Sequence, residues 1–461
     1  MRNLTQDRNP LGTMPIGPLL VKMSVPMMIS MFVQAFYNIV DSMFVARISE
    51  NALTAVSLAF PVQMVMGAIA VGTGVGVNAC VSRFLGQGDR ASAHRAANVQ
   101  VLLSAVYTLI FVSIGFFGVR SFFEAQTDIA EIVDCGTQYL SIVCTCCLGC
   151  FYCQNFEKLL VATGRSAPSM ISQASGAIFN IIFDWLLIFG IGPFPEMGIR
   201  GAAVATVLGQ LLSAAVALAF VLSGKDRIRF SLKKMLPDWA MLRSIYSVGV
   251  PSMITIGLNS AMSFVMNQIL LGFSTTATAV FGVWLKLQSF GYMPVFGMNN
   301  GTIAIFSYNY GSGNIDRVRK TLRLAITLGF TVTTCVGVLY ELMPRTLLNL
   351  FDAGAAMMNI GVPAIRICCL SLPVGALSII LASSFQSLGR ARYSLFVNLC
   401  RQIIFMLPAA WLLSLSGRLT LVWLAPLIGE SVSLIFALIL SRKVSAMLDA
   451  KFPQTAEGGI R

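Results

Sequence analysis

The chain has 461 residues, of which 56% are hydrophobic and only 11% are charged, and its formal net charge is +13. Soluble globular proteins carry about 25% charged residues, so this composition excludes an ordinary soluble domain. Because only a helix satisfies its own backbone hydrogen bonds in lipid, the long apolar runs predict membrane-spanning helices of roughly 20 residues each.

The apolar runs predict an all-α polytopic membrane protein with short loops and no room for a soluble domain. We expect two six-helix lobes at 1–223 and 244–441, a cytoplasmic linker at 224–243 and a cytoplasmic tail at 442–461. The linker contains Lys225, Asp226, Arg227, Arg229, Lys233 and Lys234. The twelve predicted spans are 17–43, 53–81, 97–119, 135–156, 167–190, 201–223, 244–272, 276–308, 321–343, 356–385, 392–415 and 419–441.

The basic residues are distributed unevenly between the two sides of the predicted bundle. With the N-terminus in the cytoplasm, 24 of the 32 Lys and Arg residues fall in cytoplasmic segments, five in outer loops and three inside spans. Cytoplasmic loops carry such an excess, which predicts a bacterial-type inner (plasma) membrane protein with both termini cytoplasmic. The positive charge therefore orients the protein in the lipid bilayer, and we expect no nucleic-acid partner.

The second half of the chain repeats the first at one constant offset and without a gap. The matched pairs include Pro26 and Pro251, Gln63 and Gln288, Ser82 and Ser307, and Gly164 and Gly389. Each half has six predicted spans, an even number, so both halves enter the membrane in the same orientation. Parallel repeats of this kind enclose a substrate cavity near the bilayer midplane. Each proline removes a helix hydrogen bond, so a kink is possible in the first span of each half.

Two acidic residues lie deep in spans of the first half. Asp41 shares one face of the first span with Gln34 and Asn38, and Tyr37 lies beside that face. In the fifth span, Asn180 and Asp184 are one helical turn apart.

An ionisable group inside the membrane costs about 2.5–3.5 kcal/mol on insertion scales, and it usually marks a functional pathway. Facing carboxylates flanked by amides can bind Na⁺ through oxygen ligands, or they can share a proton because two adjacent negative charges repel each other. The alternative is that they only hold helices together. We favour an ion site, which would include Asp41, Asn180 and Asp184 as metal ligands if the ion is Na⁺.

The second half differs from the first in charge. Met266 and Ala409 replace the two acids, and the charged residues of its spans are Lys286, Arg366, Arg401 and Glu430. We expect Glu430 to neutralise Arg401 or Lys286 as a structural pair. The alternative is that unpaired cations in this half meet an anionic group of a substrate.

The chain resembles the multidrug and toxin extrusion (MATE) family, in particular its MepA-like branch, over nearly its whole length. The residues that carry this resemblance are Val25-Pro26 followed by Asp41, the segment Ser82–Gly88, Gly164-Arg165, the Asn180 and Asp184 pair, and Gly198–Thr206. The resemblance implies a V-shaped, twelve-helix antiporter that exports cationic drugs and dyes in exchange for H⁺ or Na⁺. It also implies that Thr206 joins Asp41, Asn180 and Asp184 in the ion site.

The expected function is therefore secondary active efflux of organic cations or amphipathic drugs by a monomer, with H⁺ or Na⁺ as the coupling ion. Candidate cavity residues are Gln34, Tyr37, Asn38, Gln63, Met64, Tyr139 and Met293. The competing hypothesis is a flippase or exporter of a lipid-linked or anionic amphiphile that uses the basic residues of the second half.

No enzyme activity and no cofactor are expected. The sequence has no nucleotide-binding loop and no Ser–His pairing, and its single histidine, His94, lies in a predicted cytoplasmic loop. Five of its eleven cysteines lie in one span. They could suggest a zinc site, but we interpret them as small packing residues because no histidine accompanies them.

Overall fold

The computed structural model of the chain describes residues 9–223, 230 and 238–452, which form helices and no β-strand. The linker residues Lys225, Asp226, Arg227, Arg229, Lys233 and Lys234 lie outside this part of the chain. A π-helical turn at Cys400–Ile404 separates the helices Ala391–Leu399 and Met406–Ser414. The helices are α1 (Pro10–Thr13), α2 (Ile16–Ala46), α3 (Glu50–Gly86), α4 (Arg90–Phe117), α5 (Val119–Glu124), α6 (Ala130–Thr145), α7 (Leu148–Ala162), α8 (Ser166–Phe189), α9 (Ile199–Ser223), α10 (Trp239–Leu271), α11 (Thr275–Gly311), α12 (Ile315–Leu342), α13 (Pro344–Asn349), α14 (Ala355–Cys369), α15 (Ser371–Ser387), α16 (Ala391–Leu399), α17 (Met406–Ser414), α18 (Leu419–Val422) and α19 (Ala425–Lys451).

The spanning helices follow the predicted order. Within the described residues, nine helices are long and apolar enough to cross a membrane, and two bent helix pairs bring the number to 11. The pair α6 and α7 is bent by 47° and the pair α14 and α15 by 42°, so the fourth and tenth predicted spans are broken helices. The remaining predicted span is α11, which has 37 residues and carries polar side chains such as Lys286 and Asn299 within its apolar run.

Some helix bounds differ from the predicted ones. Helix α10 begins at Trp239, inside the segment predicted as a linker, and α19 continues to Lys451, inside the predicted tail. Helices α2 and α10 run unbroken as helices through Pro26 and Pro251. The eleventh predicted span contains the π-turn, which ends four residues before Pro408, a residue without an N–H group.

The duplication extends to the atomic details of each half. The offset that pairs Pro26 with Pro251 also relates α3 to α11 and α4 to α12 at both ends of each helix. Ser82 donates to the carbonyl of Ala162 at 3.1 Å, and its counterpart Ser307 donates to that of Ser387 at the same distance. The two halves therefore share one helical framework.

The described chain forms two compact units. The first contains residues 22–223, 230 and 238–253, and the second contains residues 9–21 and 254–452. The segment 9–21 is fastened within the second unit, where Arg317 donates to the carbonyl oxygens of Leu11 at 3.1 Å and Met14 at 2.7 Å. The start of α10 packs within the first unit, where a Cβ atom on Gly76 would collide with the carbonyl of Ile245.

Close packing of α8 against α9 fixes the relative position of these helices in the first unit. A Cβ atom added to Gly176 would lie 2.6 Å from the carbonyl oxygen of Gly209, and one on Gly209 would lie 2.8 Å from that of Gly176. One on Gly201 would lie 2.6 Å from the carbonyl of Leu187. Small residues allow such backbone contact in membranes, where van der Waals packing holds helices together.

Candidate functional site

The two acids of the first half meet inside the first unit. Asp41 on α2 is partly buried and Asp184 on α8 is fully buried, and their carboxyl groups lie close to each other. Neither forms an ion pair with a basic residue among those that the structure describes. Two adjacent carboxylates repel each other, so uptake of one proton or another small cation would stabilise the pair.

Asn180 connects this pair to α9. With its amide nitrogen facing the carboxylate, Asn180 donates to Oδ2 of Asp184 at 3.1 Å, and its oxygen accepts from the backbone N–H of Thr206 at 3.1 Å. The close contact between Gly176 and Gly209 lies one helical turn away, and a Cβ atom on Gly209 would be 3.1 Å from Cβ of Asn180. The glycine contact thus sets the distance across which Asn180 and Thr206 interact.

Two tyrosines and a glutamine surround the carboxyl pair. Tyr37 on α2 is near both acids, and the buried Tyr139 on α6 is near both as well. Gln63 on α3 donates to the hydroxyl of Tyr139 at 3.1 Å. Side chains from α2, α3, α6 and α8 therefore converge on one polar cluster in the first unit.

The other predicted cavity residues are spread more widely. Gln34 and Met64 are partly buried on α2 and α3, and Asn38 is exposed on α2. Met293 lies on α11 in the second unit, where it is partly buried. These positions stay predictions, because their side chains have no described contact with the carboxyl pair.

The carboxyl pair has free coordination capacity for a small cation. Oδ1 of Asp41 and Oδ1 of Asp184 are both buried, and neither has a hydrogen-bond partner. The amide oxygen of Asn180 is already engaged by Thr206 in the orientation that satisfies both residues. This donor set suits a proton directly, and it could offer Na⁺ two carboxylate oxygens and the second lone pair of the amide oxygen.

Glu157, another buried acid of the first unit, has partners that account for its charge. Glu157 on α7 accepts from the hydroxyl of Ser213 at 3.1 Å and interacts with its neighbour Lys158, and both charged side chains are buried. A Cβ atom on Gly74 would lie 2.8 Å from Cγ of Lys158, so α3 covers the lysine closely. The opposite charges of Glu157 and Lys158 therefore compensate each other.

The four charged residues predicted inside the spans of the second half each have an ionic or aromatic neighbour. Arg401 lies 3.8 Å from Glu430, with side-chain exposures of 11% and 7%, and Arg366 lies 3.6 Å from Glu341, with exposures of 54% and 45%. The ammonium group of Lys286 lies 5.5 Å from the ring centre of Phe351. Of the two partners expected for Glu430, the structure places Arg401 next to it.

The second unit also contains a cavity that the sequence analysis missed. It has a volume of about 280 Å³, and its walls include Trp284, Tyr292, Arg401, Gln402 and Glu430. The charges of Arg401 and Glu430 were visible in the sequence. Gln402 was not predicted, because its span contains no acidic residue that would mark a polar face.

The five clustered cysteines lie around the bend between α6 and α7. All eleven are free, and the described residues contain no group of three or more His, Cys, Asp or Glu side chains that could hold a metal ion. Cys144 and Cys147 are buried in an apolar cluster of the first unit, which is consistent with a packing role.

Comparison with known proteins identifies the family. The family model described as MatE matches the chain twice, at residues 26–186 and 251–412, and the two matches together cover more than half of its length. The chain belongs to the multidrug and toxin extrusion (MATE) family. The two matched segments begin at residues 26 and 251, the positions that the duplication pairs, so each half of this MATE protein is one copy of the repeated unit.

Its relatives and structural neighbours agree with this assignment. The chain is 26% identical to the FAD transporter of Shewanella oneidensis, over 88% of this chain and 90% of the relative. It is 24% identical to the multidrug export protein MepA of Staphylococcus haemolyticus, over 90% of this chain and 91% of the relative. An outward-facing multidrug resistance MATE transporter has a TM-score of 0.88 at 23% identity, with 98% of this chain and 99% of that chain covered. Such neighbours have twelve helices in two lobes, as the sequence predicted.

Proposed function

We propose that this MATE protein is an antiporter that exports organic cations or amphipathic drugs in exchange for H⁺, and that Asp41 and Asp184 carry both the ion and the electrostatic attraction for cargo. The supporting observation is the pair of neighbouring carboxyl groups, which has no basic ion-pair partner among the described residues. A buried, uncompensated acidic pair attracts one positive charge, either the coupling ion or the substrate. Because the coupling ion and the substrate compete for this pair, entry of the ion releases the substrate for export.

The proposed cycle assigns a role to each residue. A cationic substrate enters while the pair is ionised, and a proton arriving from outside neutralises Asp41 or Asp184 and weakens the hold on the cargo. Asn180 and Thr206 orient the carboxyl group of Asp184, while Tyr37, Tyr139 and Gln63 surround the pair. If one proton exchanges for one monovalent cation, no net charge crosses, and each pH unit supplies about 1.4 kcal/mol, enough for tenfold accumulation.

The coupling ion is proposed as H⁺ on the chemistry of the pair. One proton shared by two neighbouring carboxyl groups relieves their mutual repulsion, and the oxygen of Asn180 is turned toward Thr206. Na⁺ remains the competing ion, with Asp41, Asn180 and Asp184 as its ligands. Both chain termini are proposed to lie in the cytoplasm, because 24 of the 32 basic residues then fall on that side.

Transport in proteoliposomes with separately imposed gradients tests the proposal. Purified protein is reconstituted, and ethidium movement is followed by fluorescence under a pH gradient alone, a Na⁺ gradient alone, or neither. We expect the pH gradient alone to drive ethidium movement in the wild type. Asp41→Asn and Asp184→Asn should each reduce that movement to the level of empty liposomes, because a neutral amide keeps the shape and removes the exchangeable charge.

Asp128→Asn is the matched control, since Asp128 is an exposed acid in the loop before α6. It should transport like the wild type. Transport driven only by Na⁺ would replace H⁺ with Na⁺ in the mechanism. Normal transport by the protein with both Asp41→Asn and Asp184→Asn would refute the assignment of the site.

The competing function is export of an anionic amphiphile or cofactor. The similarity to a relative named FAD transporter favours it, because the phosphates of such a cargo are negatively charged. The pairing of Arg401 with Glu430 and of Arg366 with Glu341 weighs against free cationic contacts for such a cargo. In the same liposomes, FAD movement that exceeds ethidium movement and that Arg366→Gln abolishes would favour the anionic cargo.

A further inference from the structure

Three residues that line the cavity of the second unit, Arg401, Gln402 and Glu430, have buried polar atoms without a hydrogen bond. Nε and Nη1 of Arg401, both amide atoms of Gln402 and Oε2 of Glu430 make no hydrogen bond. Gln402 is only 3% exposed and Glu430 only 5%. Leaving such groups unpaired is unfavourable, which favours binding of a molecule that supplies their partners.

This arrangement depends on specific features of the surrounding helices. A Cβ atom on Gly375 would overlap the hydroxyl of Tyr292 and lie 2.8 Å from the carboxylate of Glu430, so only glycine leaves room for both groups. Gly429 lets α19 approach the π-turn, because a Cβ atom there would lie 2.7 Å from the carbonyl of Arg401. The π-turn sets Arg401 and Gln402 side by side on the cavity wall, and such turns occur frequently at functional sites.

The charges on the wall indicate the net charge of the ligand. Arg401 and Glu430 contribute one positive and one negative charge, 3.8 Å apart. An anion would be placed against the carboxylate, and a cation against the guanidinium group, at a cost in either case. A neutral molecule with an acceptor and a donor side by side can satisfy Arg401 and Glu430 together, and the amide of Gln402 can pair with the same edge.

The volume and the apolar walls indicate the size and shape of the ligand. A cavity of about 280 Å³ holds roughly nine water molecules at their share of liquid volume. Phe281, Trp284 and Phe296 add aromatic faces to the polar wall. Aromatic faces pack well against a flat ring. The space therefore suits one ring with one polar substituent.

We propose that the second unit contains a separate binding site for a small, planar, net-neutral amide, such as an aromatic carboxamide or a lactam ring, recognised by Arg401, Gln402 and Glu430. This site does not depend on the antiport function proposed for the carboxyl pair of the first unit. The amide carbonyl accepts from Arg401 or Gln402, and the amide N–H donates to Oε2 of Glu430.

Three probes of equal shape test the proposal, namely benzamide, benzoate and benzamidine. They share one ring and differ only in a neutral, anionic or cationic head group. Binding is measured on the purified full-length protein in detergent at neutral pH, from the concentration dependence of the thermal unfolding midpoint. We expect saturable stabilisation by benzamide, with an affinity at least about tenfold higher than that of either charged probe.

The matched variants are Gln402→Leu and Gln100→Leu. Gln100 is a buried glutamine of the first unit whose Oε1 also lacks a partner, so it controls for the substitution itself. We expect Gln402→Leu to weaken benzamide binding at least about tenfold and Gln100→Leu to leave it unchanged. If Gln402→Leu does not fold, the ranking of the three probes on the wild type decides alone.

Other rankings would overturn the proposal. Tighter binding of benzoate would make the cavity an anion site, and tighter binding of benzamidine would make it a cation site. No saturable shift with any probe would mean that the cavity holds only water. Benzamide binding that persists in Gln402→Leu but disappears in Asp184→Asn would place the ligand in the first unit.

Discussion

Replacing Gly176 by alanine should separate α8 from α9 and break the hydrogen bond by which Asn180 links the carboxyl pair to Thr206. The new Cβ atom would lie 2.6 Å from the carbonyl oxygen of Gly209, whereas ordinary contact begins at 3.4 Å. Because the obstacle is backbone, the helices must move apart by about 0.8 Å. A similar movement at Asn180, one turn away, would lengthen its 3.1 Å contact with the N–H of Thr206 to about 3.9 Å, beyond hydrogen-bonding distance.

The free-energy change can be bounded in advance. Alanine is more favourable than glycine in a helix interior by about 1 kcal/mol, but overpacking costs about 1–3 kcal/mol and the lost hydrogen bond about 1 kcal/mol. We therefore expect Gly176→Ala to lower the free energy of unfolding by about 1–3 kcal/mol and to reduce pH-driven ethidium transport.

The assays are thermal unfolding in detergent and transport in proteoliposomes, with Gly67→Ala as the control. Gly67 lies in the interior of α3, and a Cβ atom there would meet nothing within 4 Å. That substitution should leave stability equal or improved and transport unchanged. If Gly176→Ala is as stable and as active as Gly67→Ala, the argument from helix contact is refuted.

Two further predictions concern the helix caps and the ion pairs. Asp89 caps α4, and hydrogen bonds from the side chain and backbone N–H of Ser92 lower the pKa of Asp89. The stabilisation that ionised Asp89 gives to the fold is therefore present above the unfolded pKa of about 3.9, and it is lost as pH falls through the lower folded pKa. Asp89→Ala should cost about 1 kcal/mol near neutral pH, and the difference in unfolding midpoint from the wild type should shrink in acid. Arg401→Leu leaves Glu430 buried without its partner and should destabilise the protein by about 3–5 kcal/mol, measured by thermal unfolding. Arg366→Leu, in a pair about half exposed, should cost less than about 1 kcal/mol, and equal losses for the two arginine variants would contradict this reasoning.

The helical framework was largely predictable because the bilayer restricts the choices. Apolar runs must form helices there, so the spans could be read from hydropathy, and the constant offset between the halves recurs in the bounds of α3 and α11. Hydropathy did not reveal the bend between α6 and α7 or the π-turn beside Arg401. These features arise from local backbone geometry and from contacts with other helices, which leave the average polarity of a span unchanged.

The candidate site was predictable to the extent that burial of charge is costly. Asp41 and Asp184 stood out because few acids occur in spans, and the structure brings their carboxyl groups together. The partners of neutral polar groups were not predictable in this way. Gln402 looks like any glutamine in the sequence, and only the fold surrounds it with apolar walls and leaves its amide unpaired.

The sequence by itself determined the membrane class, the order of the spans, the internal duplication and the positions of the costly charges, since each depends on residue type and spacing along one chain. The tertiary structure decided which side chains face one another, such as Asn180 with Thr206 and Arg401 with Glu430. Those pairings depend on the rotation of each helix and on the close approach of helix backbones at glycines, which no local pattern specifies.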